Sequence, residues 1–341
     1  MRPFGLVLIT ALVTLTESRA CSVPVFRYAL ENWTPSNYEL LYATDDGRDL
    51  PAAVNDLARR ANVRIRAINA ATETDPMTLE LIRGPRPVML LRYPDSTAEI
   101  PPAWSTTTDF DPAPVFDSPA RRQLVRYLKQ GYAGVVVLLH TGDAEKDRAA
   151  RAFLDEHVPR IAGRIELPPP TPDGPQVRWA APVRVEFPIV ELRRTDAEDV
   201  FVRVLLGMED GLKDVTGPVA FPVFGRGRAL CALHGRDLEK PSELQRSLEY
   251  LCRACSCQVK ELNPGLDLLL ATDWEAPAEP EDTSARPGNP DPPGEAPARP
   301  EPDEPTSAPT AWRPSGALVV AAVAAVVVTG LWVLRSRRRP G

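Results

Sequence analysis

The densest group of reactive side chains in the sequence is Cys252-Arg-Ala-Cys255-Ser-Cys257, with Cys231 one expected strand earlier. Thiols at this spacing can cross-link, cycle electrons as a dithiol, or hold a soft metal as thiolates. On a strand, Cys231 shares a face with Ala229 and Leu233; on a helix, Cys252 and Cys255 lie three apart beside Leu248 and Leu251. A strand-to-helix disulfide would close a loop of about 20 residues and stabilise by about 3 kcal/mol on the loop-entropy account. Cys252-x-x-Cys255 also has oxidoreductase spacing, with Arg253 to favour a thiolate. Such sites begin a helix, however, and this one sits near a helix end, where the dipole raises the thiol pKa. A four-thiolate metal site with Cys231 and Cys257 lacks the two separated pairs usual for zinc. With Cys21 the count reaches five, so an oxidising compartment leaves one thiol over.

A second chemical candidate is Gly225-Arg226-Gly227-Arg228. Its amides and the Arg226 and Arg228 guanidinium forks could cradle an anion, and the same residues also make an ordinary hairpin turn. The three histidines, His140, His157 and His234, share no ligand spacing; His140 ends an apolar strand and His157 lies on a helix, both structural positions. No GxSxG, P-loop, HExxH or GxGxxG pattern occurs, so the sequence nominates no catalytic residue, metal site or cofactor. Arg-Arg pairs at 59–60, 121–122 and 193–194 read as solvated faces. With a net charge of −6 there is no basic footprint for nucleic acid.

The elements that must position these groups follow from periodicity and caps. A short helix is expected after Cys21, with Ser22 as its cap. Strands are expected at Tyr38–Ala43, Val63–Ile68 (Val63, Ile65 and Ala67 opposite Arg64 and Arg66) and Pro87–Tyr93, with a helix over Leu50–Ala61. A Pro-rich loop, 94–114, carries Trp104 and Phe110 and has the length of a binding or lid element. Asp117-Ser118-Pro119 caps the next helix, and Asp143 and Glu145 suit the start of another. The strand Ala133–Leu139 is the most apolar and should be central. Further on come a strand over Val183–Leu192, a helix over Ala197–Leu206, strands at Val219–Phe224 and Ala229–His234, and a helix from Ser242 with a capping box to Gln245, closed at Asn263-Pro264-Gly265. The fold class is therefore α/β, in two small lobes: 21–167, then a Pro-rich connector at 168–182, then 183–274 with the cysteine cluster.

The two ends set the expected topology. Arg2, an apolar run from Phe4 to Leu15 and Ser18-Arg19-Ala20 make a secretory signal peptide over 1–20. Gly316 to Leu334 is nineteen residues without a charge, about 28 Å as a helix and enough to cross a bilayer. Arg335, Arg337, Arg338 and Arg339 follow, so the 335–341 tail should stay in the cytoplasm. Between fold and span, 275–315 is acidic and Pro-rich and reads as a disordered stalk. The expectation is a single-pass membrane protein with its folded part outside the cytoplasm and an envelope protein as partner.

Two stretches carry a resemblance. Pro222-Val-Phe-Gly-Arg-Gly-Arg-Ala-Leu230 and Cys255-Ser-Cys-Gln-Val-Lys-x-x-Asn263-Pro-Gly-x-Asp267-Leu-Leu269 resemble an uncharacterised family of bacterial extracytoplasmic proteins, as do Ser118-Pro-Ala-Arg-Arg and Gly142-Asp-Ala-x-Lys-Asp. The resemblance spans most of 21–274 and implies no activity. The first lobe is loosely similar to a thioredoxin-type scaffold, a strand–helix–strand and then Pro87 before a buried strand, without a CxxC at the place where that scaffold carries one.

Overall fold

A computed structural model describes residues 23–50, 52–96, 101–107, 111, 113–169, 182–255 and 260–277. The expected signal peptide, Cys21, Cys257, most of the 168–182 connector, the stalk past 277, the 316–334 span and the 335–341 tail lie outside these residues. Among the described residues no helix is long and apolar enough to cross a membrane.

The chain is mixed α/β with two sheets. After α1 (Val25–Asn32), the first sheet is built from β1 (Tyr38–Thr44), α2 (Ala52–Arg60), β2 (Val63–Asn69), α3 (Pro76–Leu81), β3 (Val88–Arg92) and β4 (Trp104–Thr106). Its order is β2-β1-β3-β4, with β1 and β2 parallel and β3 antiparallel to both β1 and β4. After α4 (Ala113–Phe116) and α5 (Pro119–Lys129), the second sheet comes from β5 (Val135–Leu139), α6 (Ala144–Ala162), β6 (Ile189–Leu192), α7 (Asp199–Leu206), β7 (Val219–Phe224), β8 (Arg228–Ala229), β9 (Leu233–His234), α8 (Pro241–Cys252) and β10 (Leu266–Asp267). Here β5 and β6 are parallel, and β7 is antiparallel to β5, β8 and β9.

One connectivity is thus used twice: strand, helix, parallel strand, helix, then two antiparallel strands. A proline stands just before the third strand each time. Pro87, after a cis Arg86–Pro87 bond, precedes Val88, which pairs with Ala43; Pro218 precedes Val219, which pairs with Leu139. The division between the sheets does not fall at the expected connector. β5, which precedes the connector, is hydrogen-bonded to β6 and β7, which follow it. A five-residue strand with every side chain buried needs neighbours on both edges, and only the later strands supply them.

Strand alternation sorts the core into three parts. Tyr38, Leu40 and Tyr42 of β1 and Val135, Val137 and Leu139 of β5 share one central core with Leu124 of α5 and Phe201 of α7. Leu41 and Ala43 turn the other way, onto Ile82 beyond α3. Val136 and Leu138 face α1, α6 and α8 through Phe26, Leu154 and Leu248. Each fully buried Phe or Leu contributes about 1.5–3 kcal/mol of transfer free energy.

Caps account for several helix starts. Ser118 Oγ accepts from Arg121 N at 3.4 Å with Pro119 in the first turn, as the sequence predicts, and Asp143, expected only as an acid near a helix start, is the N-cap and accepts from Glu145 N and Lys146 N at 3.1 and 3.3 Å. Elsewhere the structure differs from the expectation. The last helix starts one residue earlier, at Pro241, with no side-chain cap, and Gln245 pairs with Glu249 rather than closing a box. It stops at Cys252, because 253–255 turn away to pair with 23–25: Val25 N donates to Arg253 O and Cys255 N to Val23 O, each at 3.0 Å. The strand expected over 183–192 is regular only from Ile189, since Pro188 has no N–H for the ladder. Ile65 is exposed on the edge strand β2, and Trp104 of the expected loop forms β4. α3, with its Asp75 cap, was not legible as a helix.

Candidate functional site

The cysteines do not form the expected strand-to-helix bridge. Cys231 and Cys252 carry free thiols, and Cys231 Sγ lies 3.6 Å from Ser247 Oγ. Cys252 is five residues further along α8, about 7.5 Å along the axis, so the strand meets the helix more than a turn too early. Burial pushes the Cys252 thiol up to about 12 and also raises that of Cys231, where the Ser247 hydrogen bond opposes it. Cys255 is buried in the same core at 1% exposure. Thiolate chemistry is disfavoured at Cys252: the group sits at a helix carboxyl end among Leu248 and Leu251. Among the described residues no group of three or more His, Cys, Asp or Glu could hold a metal ion.

The Gly225–Arg228 stretch is a turn between β7 and β8, with Gly225 and Gly227 at φ +59° and +86°. Its guanidiniums are engaged within the fold. Arg226 Nε donates to the Leu30 carbonyl at 2.7 Å and Nη2 to Glu275 at 2.6 Å. Arg228 donates from Nε to the Pro264 carbonyl, from Nη2 to the Asn263 carbonyl and from Nη1 to Asp267 Oδ1, at 3.1, 2.8 and 2.9 Å. Asp267 Oδ2 accepts from Lys260 Nζ and Ser36 N, both at 2.8 Å, and its carbonyl accepts from Tyr38 Oη. Tyr250 Oη closes the knot on Asn263 Oδ1 at 2.7 Å. Burial is the largest influence on the Asp267 carboxyl and pushes it up. The Lys260 hydrogen bond, the Arg228 charge and the Ser36 amide outweigh it and hold the carboxyl below its ordinary value. Arg228, Lys260, Asn263, Pro264 and Asp267 therefore meet in one polar knot that ties the start of β1 to the edge of the second sheet.

His140 follows β5 with Nδ1 at 3.5 Å from Asp147 Oδ2 and Nε2 at 3.9 Å from Glu191 Oε2; Nε2 has no hydrogen-bond partner among the described residues. Asp147 is committed to the adjacent loop, accepting from Thr141 N, Thr141 Oγ1 and Gly142 N at 2.8, 3.0 and 3.0 Å. His157 stacks on Phe153 and contacts its carbonyl through Nδ1 at 2.9 Å, a structural role as expected.

The arrangement best suited to a ligand was not read from the sequence. A cavity of about 310 Å³ opens between α2, α5 and the segment 270–277. Arg60, Arg121, Arg122, Arg126 and Lys129 line it, with Asp117 and Asp273 as the only acids of the lining among the described residues. Arg121 is 2% exposed. Its Nη1 donates to the Pro114 carbonyl at 3.0 Å and its guanidinium lies over Phe201, yet Nε and Nη2 have no hydrogen-bond partner among the described residues. Burial lowers its pKa to about 10, against Glu198, Tyr38 and Asp117, so it remains a cation at neutral pH. Adjacent arginines thus differ: Arg122 is exposed and paired with Asp117 at 2.6 Å, while Arg121 falls on the buried stripe with Leu124 and Leu128. A charge at i, i+3, i+7 with two buried leucines was the available signal.

A second cavity, about 340 Å³, lies between β4 and α7 and includes Trp104, as a binding role for the 94–114 loop would require. Two of its cations are engaged: Arg203 pairs with Asp199 at 2.8 Å and Arg194 Nε donates to the His140 carbonyl at 3.3 Å.

No known protein family, curated protein or solved structure matches the chain.

Proposed function

We propose that this chain is a membrane-tethered extracytoplasmic protein, a non-enzymatic module whose folded part engages another component of the cell envelope. The observation that carries the reading is the uncharged run from Gly316 to Leu334 followed by four arginines, behind an acidic Pro-rich approach and a leader-like start. The first sheet is read as a thioredoxin-type scaffold without its dithiol. Support comes from the parallel β1–α2–β2 unit and from Pro87 at the entry to buried β3, while no cysteine lies between Ser22 and Cys231. The motifs around Arg228 and Asp267 remain the basis for grouping the chain with bacterial extracytoplasmic proteins.

The alternative, a thiol–disulfide enzyme or sensor built on Cys252 and Cys255, fits less well with the buried Cys252 thiol at a helix end. Carbonate extraction and protease treatment of intact cells test the tether. The full chain should stay with the membrane, with the folded part digested from outside and a tag after Gly341 protected. Release by carbonate, or digestion of the tag from outside, contradicts the reading. Cross-linking in intact membranes should then capture an envelope protein, and capture of none counts against the interaction role.

A further inference from the structure

We propose that the cavity between α2, α5 and the 270–277 segment is a binding site for a small organic phosphate. The inference goes beyond the tethered-module reading and does not depend on the tether. Among the described residues five basic side chains and two carboxylates line one opening, in a chain whose net charge is −6. Like charges are gathered in a partly closed, low-dielectric space only at an electrostatic cost, which a bound anion offsets.

The donors on offer are specific. Arg121 adds its charge from the buried side, where Glu198 is its foremost charge partner; its Nε and Nη2, without hydrogen-bond partners among the described residues, are shut off from the opening, so the reachable donors are those of the rim. Arg60 on α2 and Arg126 on α5 make no ion pair among the described residues, so both can turn to a ligand. Arg122 is shared with Asp117, and Lys129 Nζ is directed to the Asp273 carbonyl at 2.8 Å. Guanidinium forks approaching from separate elements suit a head group with three oxygens pointing different ways, which phosphate has and a single carboxylate lacks. Leu57, Phe116 and Val125 supply apolar wall for the organic part, and about 310 Å³ is the lower end of the range for small-ligand sites. The phosphate could be a soluble ester or the head group of a lipid, and the same donors serve both.

The test is calorimetric titration of the full chain in neutral detergent with glycerol 3-phosphate at constant ionic strength. Saturable binding is expected, weakened about tenfold by Arg60→Gln and by Arg126→Gln and more in the double variant, since each removes a charge-assisted contact. Arg121→Met, which removes a buried cation of the lining, should weaken it less than the double variant does; if that variant does not fold by circular dichroism, the two rim variants decide. Repeating the titration in nanodiscs of phosphatidylcholine with and without phosphatidate separates the sources. Loss of glycerol 3-phosphate binding only with phosphatidate marks a lipid head group, and unchanged binding in both marks a soluble ester. The proposal is overturned if glycerol 3-phosphate gives no saturable signal, if the double variant binds as the wild type does, or if succinate binds as tightly as the phosphate.

Discussion

Arg228 and Arg121 are both buried guanidiniums, at 9% and 2% exposure, and they have opposite situations. Arg228 spends Nε, Nη1 and Nη2 on two carbonyls and Asp267, inside a knot that also holds Lys260, Ser36 and Tyr38. Arg121 spends only Nη1, and a cavity with four more cations lies beside it. A buried charge bonded through all three nitrogens is architecture, whereas a cavity lined by cations such as Arg60 and Arg126, which make no ion pair among the described residues, is a place for something else to bind. The sequence pointed the other way. Glycines beside Arg226 and Arg228 suggested an anion cradle, but φ +59° and +86° at Gly225 and Gly227 serve to turn the chain.

The largest expected effect lies on the architectural side. Asp267→Ala should cost about 3–5 kcal/mol, because it leaves Arg228 and Lys260 facing a buried gap; the urea midpoint of the folded part reads this, and a loss near zero would break the contrast. Arg228→Met should destabilise by about 3 kcal/mol and Arg121→Met by less, since Arg121 has one hydrogen bond to lose against three, with Glu198 left as the carboxylate that loses its neighbouring cation. Equal losses would mean that Arg121 is as structural as Arg228.

Acid sharpens the comparison further. The Asp267 carboxyl is held below its ordinary value in the fold, so its stabilisation is complete above the unfolded pKa of about 4 and is lost as pH falls through the folded value. The wild type should lose stability over that acid range, and Asp267→Asn should flatten the loss; an unchanged slope contradicts the knot. The smallest effect concerns the thiols. With Cys252 pushed up to about 12, N-ethylmaleimide at pH 7 should leave it unmodified in the native chain and modify it after denaturation, as read by peptide mass. Rapid native modification would return weight to the redox reading.

Much of the fold was legible because it rests on local signals. The apolar run at 133–139, the Ser118 and Asp143 caps and the strand–helix–strand at 38–69 each declare themselves within one stretch of chain. What depends on distant partners was not legible. Helix α8 ends early because 253–255 pair with 23–25, and β5 joins β6 and β7 across a Pro-rich gap. The cavity is of this second kind. Arg60, Arg121 and Arg126 are distributed over α2 and α5, and 270–277 closes the space from the far end of the fold. Arg59-Arg60 and Arg121-Arg122 looked solvated as pairs, and for Arg59, Arg60 and Arg122 that holds; Arg121 is buried because successive residues on a helix point about 100° apart.

The most direct test of the central contrast compares the two clusters on one ligand. Glycerol 3-phosphate would be titrated into the full chain, into Arg60→Gln/Arg126→Gln, and into Arg226→Gln, which removes the turn's bonds to the Leu30 carbonyl and to Glu275 and no residue of the cavity lining. Binding reduced by more than about tenfold in the cavity variant and unchanged in the turn variant is the predicted result. Binding lost in Arg226→Gln and retained in the cavity variant would reverse the assignment of which arginines are free to act.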